Sequence, residues 1–253
     1  MENTMKLKSK LLLALLATSS AAFAQTAPAA PESTLGYNVG VASEYRYRAI
    51  GQSRGEPALQ GGVDYAHSNG FYAGAWGSTI KWIKDAGATD GSTELDLYGG
   101  YKFEAAGLAY DVGFLRYEYV GNKLKNVSGF TNANTNEAYA AVTAGPATVK
   151  YSYSLSDLFG NINSKGSSYL EASATFDLGN GYTLTPHAGR QAVKNNTIYS
   201  YTDVSLTAAK DLGDGLSASV SAISTNVKSA YTNAVNGYNG GKSIVVVGVK
   251  YSF

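Results

Sequence analysis

From Leu35 to the last residue, short turns and long connections alternate without a break, and that rhythm admits few folds. Ser68-Asn69-Gly70, Ala105-Ala106-Gly107, Gly145-Pro146, Gly179-Asn180-Gly181 and Gly213-Asp214-Gly215 are tight turns with residues suited to positive φ. Between them stand the longer connections 49–56, 83–92, 120–135, 158–167, 194–198 and 227–242. The joined segments read with a period of two, which predicts twelve strands: 36–48, 57–66, 71–82, 93–104, 108–119, 136–144, 147–157, 168–178, 182–193, 199–210, 216–226 and 243–253. Ten or fourteen strands are the alternative counts. Short–long alternation along an even number of antiparallel strands is the hairpin plan of outer-membrane barrels, with short turns periplasmic and long loops outside. The expected fold class is therefore all-β, a transmembrane antiparallel up-and-down β-barrel with both termini periplasmic. A soluble sandwich would alternate along its strands too, but has no reason to keep this rhythm.

The faces of the strands agree. Ala147, Val149, Tyr151, Tyr153 and Leu155 alternate with Thr148, Lys150, Ser152, Ser154 and Ser156, and 168–178 and 93–104 repeat the pattern. The last strand puts Val245, Val247, Val249, Tyr251 and Phe253 on one face, with nothing after it to cover them. Lipid would bury that face if the strand closes a barrel. Tyr251 and the terminal Phe253 resemble the signal read by the barrel assembly machinery. Aromatic residues are expected in two interfacial bands. Tyr37, Tyr65, Phe71, Tyr72, Tyr101, Phe103, Tyr110, Phe176 and Tyr182 fall near the short turns; Tyr45, Tyr47, Trp76, Trp82, Tyr117, Tyr119, Tyr151, Tyr153 and Tyr199 fall near the long loops.

Lys6, Lys8 and Lys10 precede the apolar run 11–17, and Ala22-Phe23-Ala24 offers a small-x-small cleavage site. Residues 1–24 thus read as a cleaved secretory signal peptide, 25–34 as a flexible leader and 35–253 as the barrel. Without the leader peptide's three lysines and one glutamate the charges are nearly balanced, which gives no reason to expect a nucleic-acid partner. No later run approaches the roughly 18 apolar residues of a membrane-spanning helix. The chain has no cysteine, 29 glycines and 20 tyrosines, a composition suited to alternating strands with one polar face.

If the apolar face meets lipid, the other lines the lumen. Candidates for lumen or selectivity roles are Glu44, Arg46, Arg48, Asp64, Lys81, Glu94, Asp96, Lys102, Lys150, Glu171 and Asp203, with Asp111, Glu137, Asp177, His187 and Lys250 on the same face. Glu44-x-Arg46-x-Arg48 is the densest set, on one face of the first strand near its outer end. It reads equally as an anion-attracting constriction or as salt bridges to the wall. Lys81 and Glu94 are expected to pair across their hairpin. The apolar phase slips between Phe114 and Tyr117, which suggests a bulge beside Arg116 and Glu118. Connection 120–135 is the candidate for a loop that folds inward as a constriction. His187 is expected opposite Ser205 with Asp203 diagonal, hydrolase ingredients that serine-rich walls also bring together by chance. No catalytic, cofactor-binding or metal-ligating set is expected.

Tyr45-Arg46-Tyr47-Arg48-Ala49-Ile50-Gly51-Gln52-Ser53, Pro57-Ala58-Leu59-Gln60-Gly61-Gly62-Val63-Asp64-Tyr65 and Gly70-Phe71-Tyr72-Ala73-Gly74-Ala75-Trp76-Gly77-Ser78 resemble the TorF-type porins of proteobacteria, a Gcw_chp-type outer-membrane barrel family. Family members usually carry Gly where Ala49 stands and Asn where Thr79 stands. The resemblance implies an outer-membrane channel and little about its solute; the signal peptide, twelve alternating strands, polar lumen face and terminal Phe lead to the expectation of a porin, not an enzyme, that passes small hydrophilic solutes passively. Its expected partners are outer-membrane lipids, the assembly machinery and a small polar solute. The alternatives are a closed structural or surface-interaction barrel and, behind it, a lumenal hydrolase.

Overall fold

A computed structural model describes residues 32–227 and 229–253; the expected signal peptide and most of the leader lie outside them. Twelve strands form the wall: β1 (Ser33–Ala42), β2 (Ala58–His67), β3 (Phe71–Thr79), β4 (Thr93–Ala105), β5 (Leu108–Tyr119), β6 (Thr135–Ala144), β7 (Ala147–Ser154), β8 (Ser168–Ala174, resuming as Phe176–Gly179), β9 (Tyr182–Ala192), β10 (Tyr201–Gly213), β11 (Leu216–Thr225) and β12 (Ile244–Ser252). Each pairs antiparallel with its sequence neighbours. The sheet closes where β1 meets β12, from Asn38 opposite Ser252 to Ala42 opposite Gly248. Tyr37 and Phe253 extend this seam by exchanging backbone hydrogen bonds of 2.9 and 3.0 Å, and their rings stack at 5.7 Å. Closure leaves no free edge, so every strand can be half apolar outside without exposing unpaired backbone.

The outer surface is the apolar one. Leu35, Tyr37, Val39 and Val41 of β1, Val149, Tyr151 and Tyr153 of β7, and Val245, Val247, Val249 and Tyr251 of β12 are all exposed, while the residues between them are sheltered. Near the short turns Tyr37, Tyr65, Phe71, Tyr101, Phe103, Phe176, Tyr182, Tyr251 and Phe253 stand outside in a band, with Phe71 against Tyr101 and Phe103 against Tyr110. Tyr72 departs from the expected band and turns inward. The band expected at the other end is largely absent. Tyr45, Tyr47, Tyr117 and Tyr119 are buried inside and Trp76 and Trp82 pack against them, leaving Tyr151 and Tyr153 outside.

Composition has a local cause inside the barrel. The Tyr98 ring lies on Gly74, Tyr72 on Gly100, Tyr139 on Gly113 and Tyr169 on Gly189, in each case where a Cβ would stand. A tyrosine can lie flat across the lumen wall only where the neighbouring strand presents no side chain. That pairing uses glycine and tyrosine together and explains part of their abundance.

Three expected strands end three or more residues early in the structure, β7 among them at Ser154. β1 stops at Ala42, well before residue 48, and the chain turns into the lumen. β3 stops at Thr79, and Trp82–Asp85 forms a short helix, α1. The bulge suggested in β5 is not there: its register to β4 and β6 runs unbroken from Ala109 to Tyr117. The phase slip arises because Leu115, Tyr117 and Tyr119 point into an interior core, while Arg116 and Glu118 face outward and pair with each other.

Candidate functional site

The segment between β1 and β2 is the main feature of the lumen. Residues 44–53 are all buried, including Glu44, Arg46 and Arg48. Arg46–Tyr47 and Ile50–Gly51 pair as a miniature hairpin whose tip, Arg48 and Ala49, has φ of +44° and +66°. Those two left-handed residues turn the chain back on itself in the lumen. Sequence periodicity could not reveal this, because Glu44, Arg46 and Arg48 alternate as well in a free hairpin as in the wall.

The hairpin is fastened on several sides. Arg48 donates two hydrogen bonds to Glu137 of β6, at 3.0 and 2.7 Å, and one to Gln191 of β9 at 3.0 Å. Its guanidinium lies 4.4 Å over the Tyr169 ring of β8, and its carbonyl accepts the Tyr201 hydroxyl of β10 at 2.8 Å. Tyr47 and Tyr117 share a hydroxyl contact, and Tyr117 donates to Glu137 at 3.0 Å. Tyr45 donates to Glu94 at 3.2 Å. Arg46 holds Glu44 at 3.1 Å and donates to the carbonyls of Ala49, Gly240 and Lys242. The hairpin tip therefore spans from β1 to the wall strands β6, β8, β9 and β10.

The long connections cover it. Gly51 donates to Gly240 at 2.9 Å, Tyr238 meets Glu44, and Arg54 meets Asp85 of α1. Ile80, Ile83, Ala88 and Leu124 complete an apolar core around Tyr45, Tyr47, Tyr117 and Tyr119. Connection 120–135 contributes Leu124 and Ala133 to that core, but the segment that crosses the barrel is 43–57.

Below the hairpin the wall charges form a ladder. Lys102, Asp111, Ala141, Lys150, Glu171, Gly189 and Asp203 are successive register partners across β4 to β10. Lys102 stands 4.0 Å from Asp111, and Lys150 lies 4.1 Å over the Tyr139 ring. His187 is opposite Ser205, as expected, but its Nε2 is 3.2 Å from Glu171 and its Nδ1 3.5 Å from Asp203. Both ring nitrogens thus meet carboxylates, whereas a nucleophile-activating histidine needs one for the serine hydroxyl. Among the described residues no three or more His, Asp or Glu side chains are arranged so that they could hold a metal ion.

A cavity of about 620 Å³, bordered by the ladder residues Asp111, Lys150 and Glu171, runs from Ala42, Glu44 and Arg46 down to the turn at Asp214-Gly215. Its wall mixes hydroxyls such as Thr207, Ser219 and Ser221 with charged side chains such as Lys150, Glu171 and Lys250 and with small apolar residues.

The expected site residues separate accordingly. Glu44, Arg46 and Arg48 belong to the in-folded hairpin and not to the first wall strand. Glu94 and Asp96 are buried beneath it, and Asp64 meets the Tyr98 hydroxyl. Lys102, Lys150, Glu171 and Asp203 form the ladder. Lys81 is not opposite Glu94: it caps α1 outside the wall and pairs with Glu56, while Glu94 stands between Ser78 and Tyr119. Asp177 is exposed at a turn, where it accepts the Gly179 N–H at 2.9 Å. Glu137 was legible only as one lumen carboxylate among many; its role, with Gln191, Tyr169 and Tyr201, depends on contacts no spacing shows.

A family model matches residues 25–253, spanning the whole barrel. The chain belongs to the Gcw_chp family. That family is described as bacterial proteins of unknown function. No curated protein sequence matches the chain. Among solved structures it is similar to the NanC porin, with a TM-score of 0.54 at 11% identity, covering 87% of this chain and 99% of that one. The KdgM porin gives 0.51 at 10% identity, again over 87% and 99%, and the same porin in complex with disordered oligogalacturonate gives 0.52 at 10% over the same shares. At these identities the likeness establishes a shared twelve-stranded barrel fold.

Proposed function

We propose that this Gcw_chp protein is an outer-membrane porin through which small hydrophilic solutes diffuse passively, with the 43–57 hairpin as its constriction. The observation that carries this reading is the cavity of about 620 Å³, lined by hydroxyls and charges of both signs, that continues from the turn end of the barrel up to Glu44 and Arg46. Such a wall hydrates a solute without binding it tightly, and the charged hairpin sets what passes its edge. The exposed apolar belt supports a place in a membrane, with both termini at the short-turn, periplasmic side. The resemblance of 45–53, 57–65 and 70–78 to TorF-type porins supports the same assignment. Purified protein in planar bilayers is expected to give stepwise conductance, reduced in Ser221→Trp, whose ring would enter the cavity. Consistent silence of the folded barrel would overturn the proposal.

A second reading is favoured by the fastening of Arg48, which is buried and held by two wall strands and two tyrosine faces. A hairpin so held could close the lumen altogether and make the barrel a structural or surface-interaction protein. Silence in bilayers that gives way to conductance on releasing Arg48 would select this reading.

A further inference from the structure

Beneath the hairpin lie two buried carboxyl groups with no cation to meet them. Glu94 and Asp96 are alternate residues of β4, both facing the lumen, and are 1% and 8% exposed. The other buried carboxylates of the interior have basic partners. Glu44 has Arg46, Glu137 has Arg48, and Asp203 has His187. Among the described residues no Lys, Arg or His forms an ion pair with Glu94 or Asp96. Their two carboxyl groups are instead in hydrogen-bond contact with each other. Tyr45 of the hairpin donates to Oε1 of Glu94 at 3.2 Å. Oε2 of Glu94 and Oδ1 of Asp96 are buried and receive no N–H or hydroxyl.

The groups packed around the pair add no free positive charge. Tyr45 and Tyr47 face it from the hairpin, Tyr117 and Tyr119 from β5, Tyr98 from β4 itself and Glu137 from β6. The Arg48 guanidinium is committed to Glu137. Two carboxylates buried in contact repel each other, and here nothing offsets the repulsion. A hydrogen bond between two carboxyl groups also needs a proton on one of them. The chain's two tryptophans stand at this spot. Trp76, the register partner of Asp96, packs edge-on against Tyr45 at 5.3 Å, and Trp82 packs against Tyr119 at 5.2 Å.

We infer that Glu94 and Asp96 are a proton-binding site that holds one shared proton, and that loss of this proton to water releases the 43–57 hairpin from the wall of β3 to β6. Without the proton, Glu94, Asp96 and Glu137 would place three negative charges in a buried core beside the single Arg48 cation. Hydrating them requires the hairpin to lift. The contact is therefore kept while the pair is protonated and weakens as the pH rises. The proton site stands without the porin reading; only its effect on conductance rests on that reading.

Trp76 and Trp82 report on it directly. Acrylamide quenching of the folded barrel in detergent micelles is followed as the pH is raised, staying below the ordinary tyrosine range of about 10. Quenching is expected to rise severalfold in one reversible transition. Glu94→Gln combined with Asp96→Asn should abolish it, since no proton is left to lose. Asp96→Asn alone serves if the double variant fails to fold. Its amide can donate to Glu94 in place of the proton, so the transition is again expected to disappear. Asp177→Asn, at an exposed short turn, should leave it intact. Flat quenching across the range, or a transition that survives in both variants, would overturn the inference. So would the same rise produced at fixed pH by a chelator, which would assign the pair to a metal cation. In planar bilayers conductance should grow through the same transition, and an open channel indifferent to it would overturn the hairpin's release. A barrel silent at every pH whose tryptophans still respond would sustain the proton site while removing the porin reading.

Discussion

The two sides of the barrel interior are built differently. Between β3 and β6 the inward residues are large: Trp76, Tyr98, Leu115, Tyr117 and Tyr139 meet the hairpin in an apolar core sealed by tyrosine hydroxyls and carboxylates. From β10 to β12 they are small, with Thr207, Ser219, Ser221 and Gly248 along the cavity. The in-folded hairpin packs its rings on the first side, while Tyr201 of β10 and the connection between β11 and β12 hold it by hydrogen bonds. Close packing and an aqueous cavity thus coexist at one barrel radius, and side-chain size decides where each lies.

The strongest way to break this asymmetry is to release the hairpin tip. Glu137→Ala would leave Arg48 buried without its carboxylate, at a cost of about 3–5 kcal/mol. A clearly lower melting temperature, with larger or noisier conductance in planar bilayers, is the expected outcome. Equal stability would show that the hairpin is held by packing alone. A smaller effect is expected at the junction of the two sides. Gly189→Ala would put a methyl group where the Tyr169 hydroxyl lies, and overpacking of this kind costs about 1–3 kcal/mol. Displacement of Tyr169 would also loosen its hydrogen bond of 3.0 Å to Asp203, which denaturant unfolding of the single and Asp203→Asn variants can resolve.

The hairpin turn offers a change in the opposite direction. Ala49 holds a φ of +66°, a region that costs an L-residue about 1–2 kcal/mol and glycine little. Ala49→Gly is expected to raise the free energy of unfolding by up to about 1 kcal/mol, some of the gain being lost to the greater freedom of the unfolded chain. Destabilisation instead would mean that the methyl group's packing outweighs the strain. The smallest effect belongs to the rim. The hydrogen bond from Lys81 lowers the Glu56 carboxyl below its ordinary value. Its contribution is complete above that ordinary value and is lost as the pH falls through the lowered one. Glu56→Gln should therefore lower the melting temperature slightly at neutral pH and low salt, with the difference vanishing in acid. A pH-independent difference would assign it to something other than the charge.

The wall was legible because its cause is local. Alternation, tight turns such as Asn180-Gly181 and the bare apolar face of 243–253 each constrain a few neighbouring residues, and eleven of the twelve strands needed only small boundary shifts, with β3 and β7 each ending three residues early. The candidate site was half legible. Lys102, Lys150, Glu171 and Asp203 could be assigned to the lumen from alternation, and their ladder follows once the register is known. Lys81 was misassigned because α1 interrupts an otherwise acceptable strand. The same limit hid the inward phase of Leu115 and Tyr117, which reads as a bulge until the hairpin they pack on is seen.

By itself the sequence determined a closed, outward-apolar barrel of twelve strands sealed between β1 and β12, since period-two faces and short turns are set by backbone geometry over a few residues. Only the tertiary structure decided that 43–57 leaves the wall and enters the lumen. Glu44, Arg46 and Arg48 alternate whichever way they go; what draws them inward are Glu137, Gln191 and Tyr201, 89, 143 and 153 residues from the residue they hold. Contacts at such separations exist only after the barrel has closed, and no local pattern encodes them.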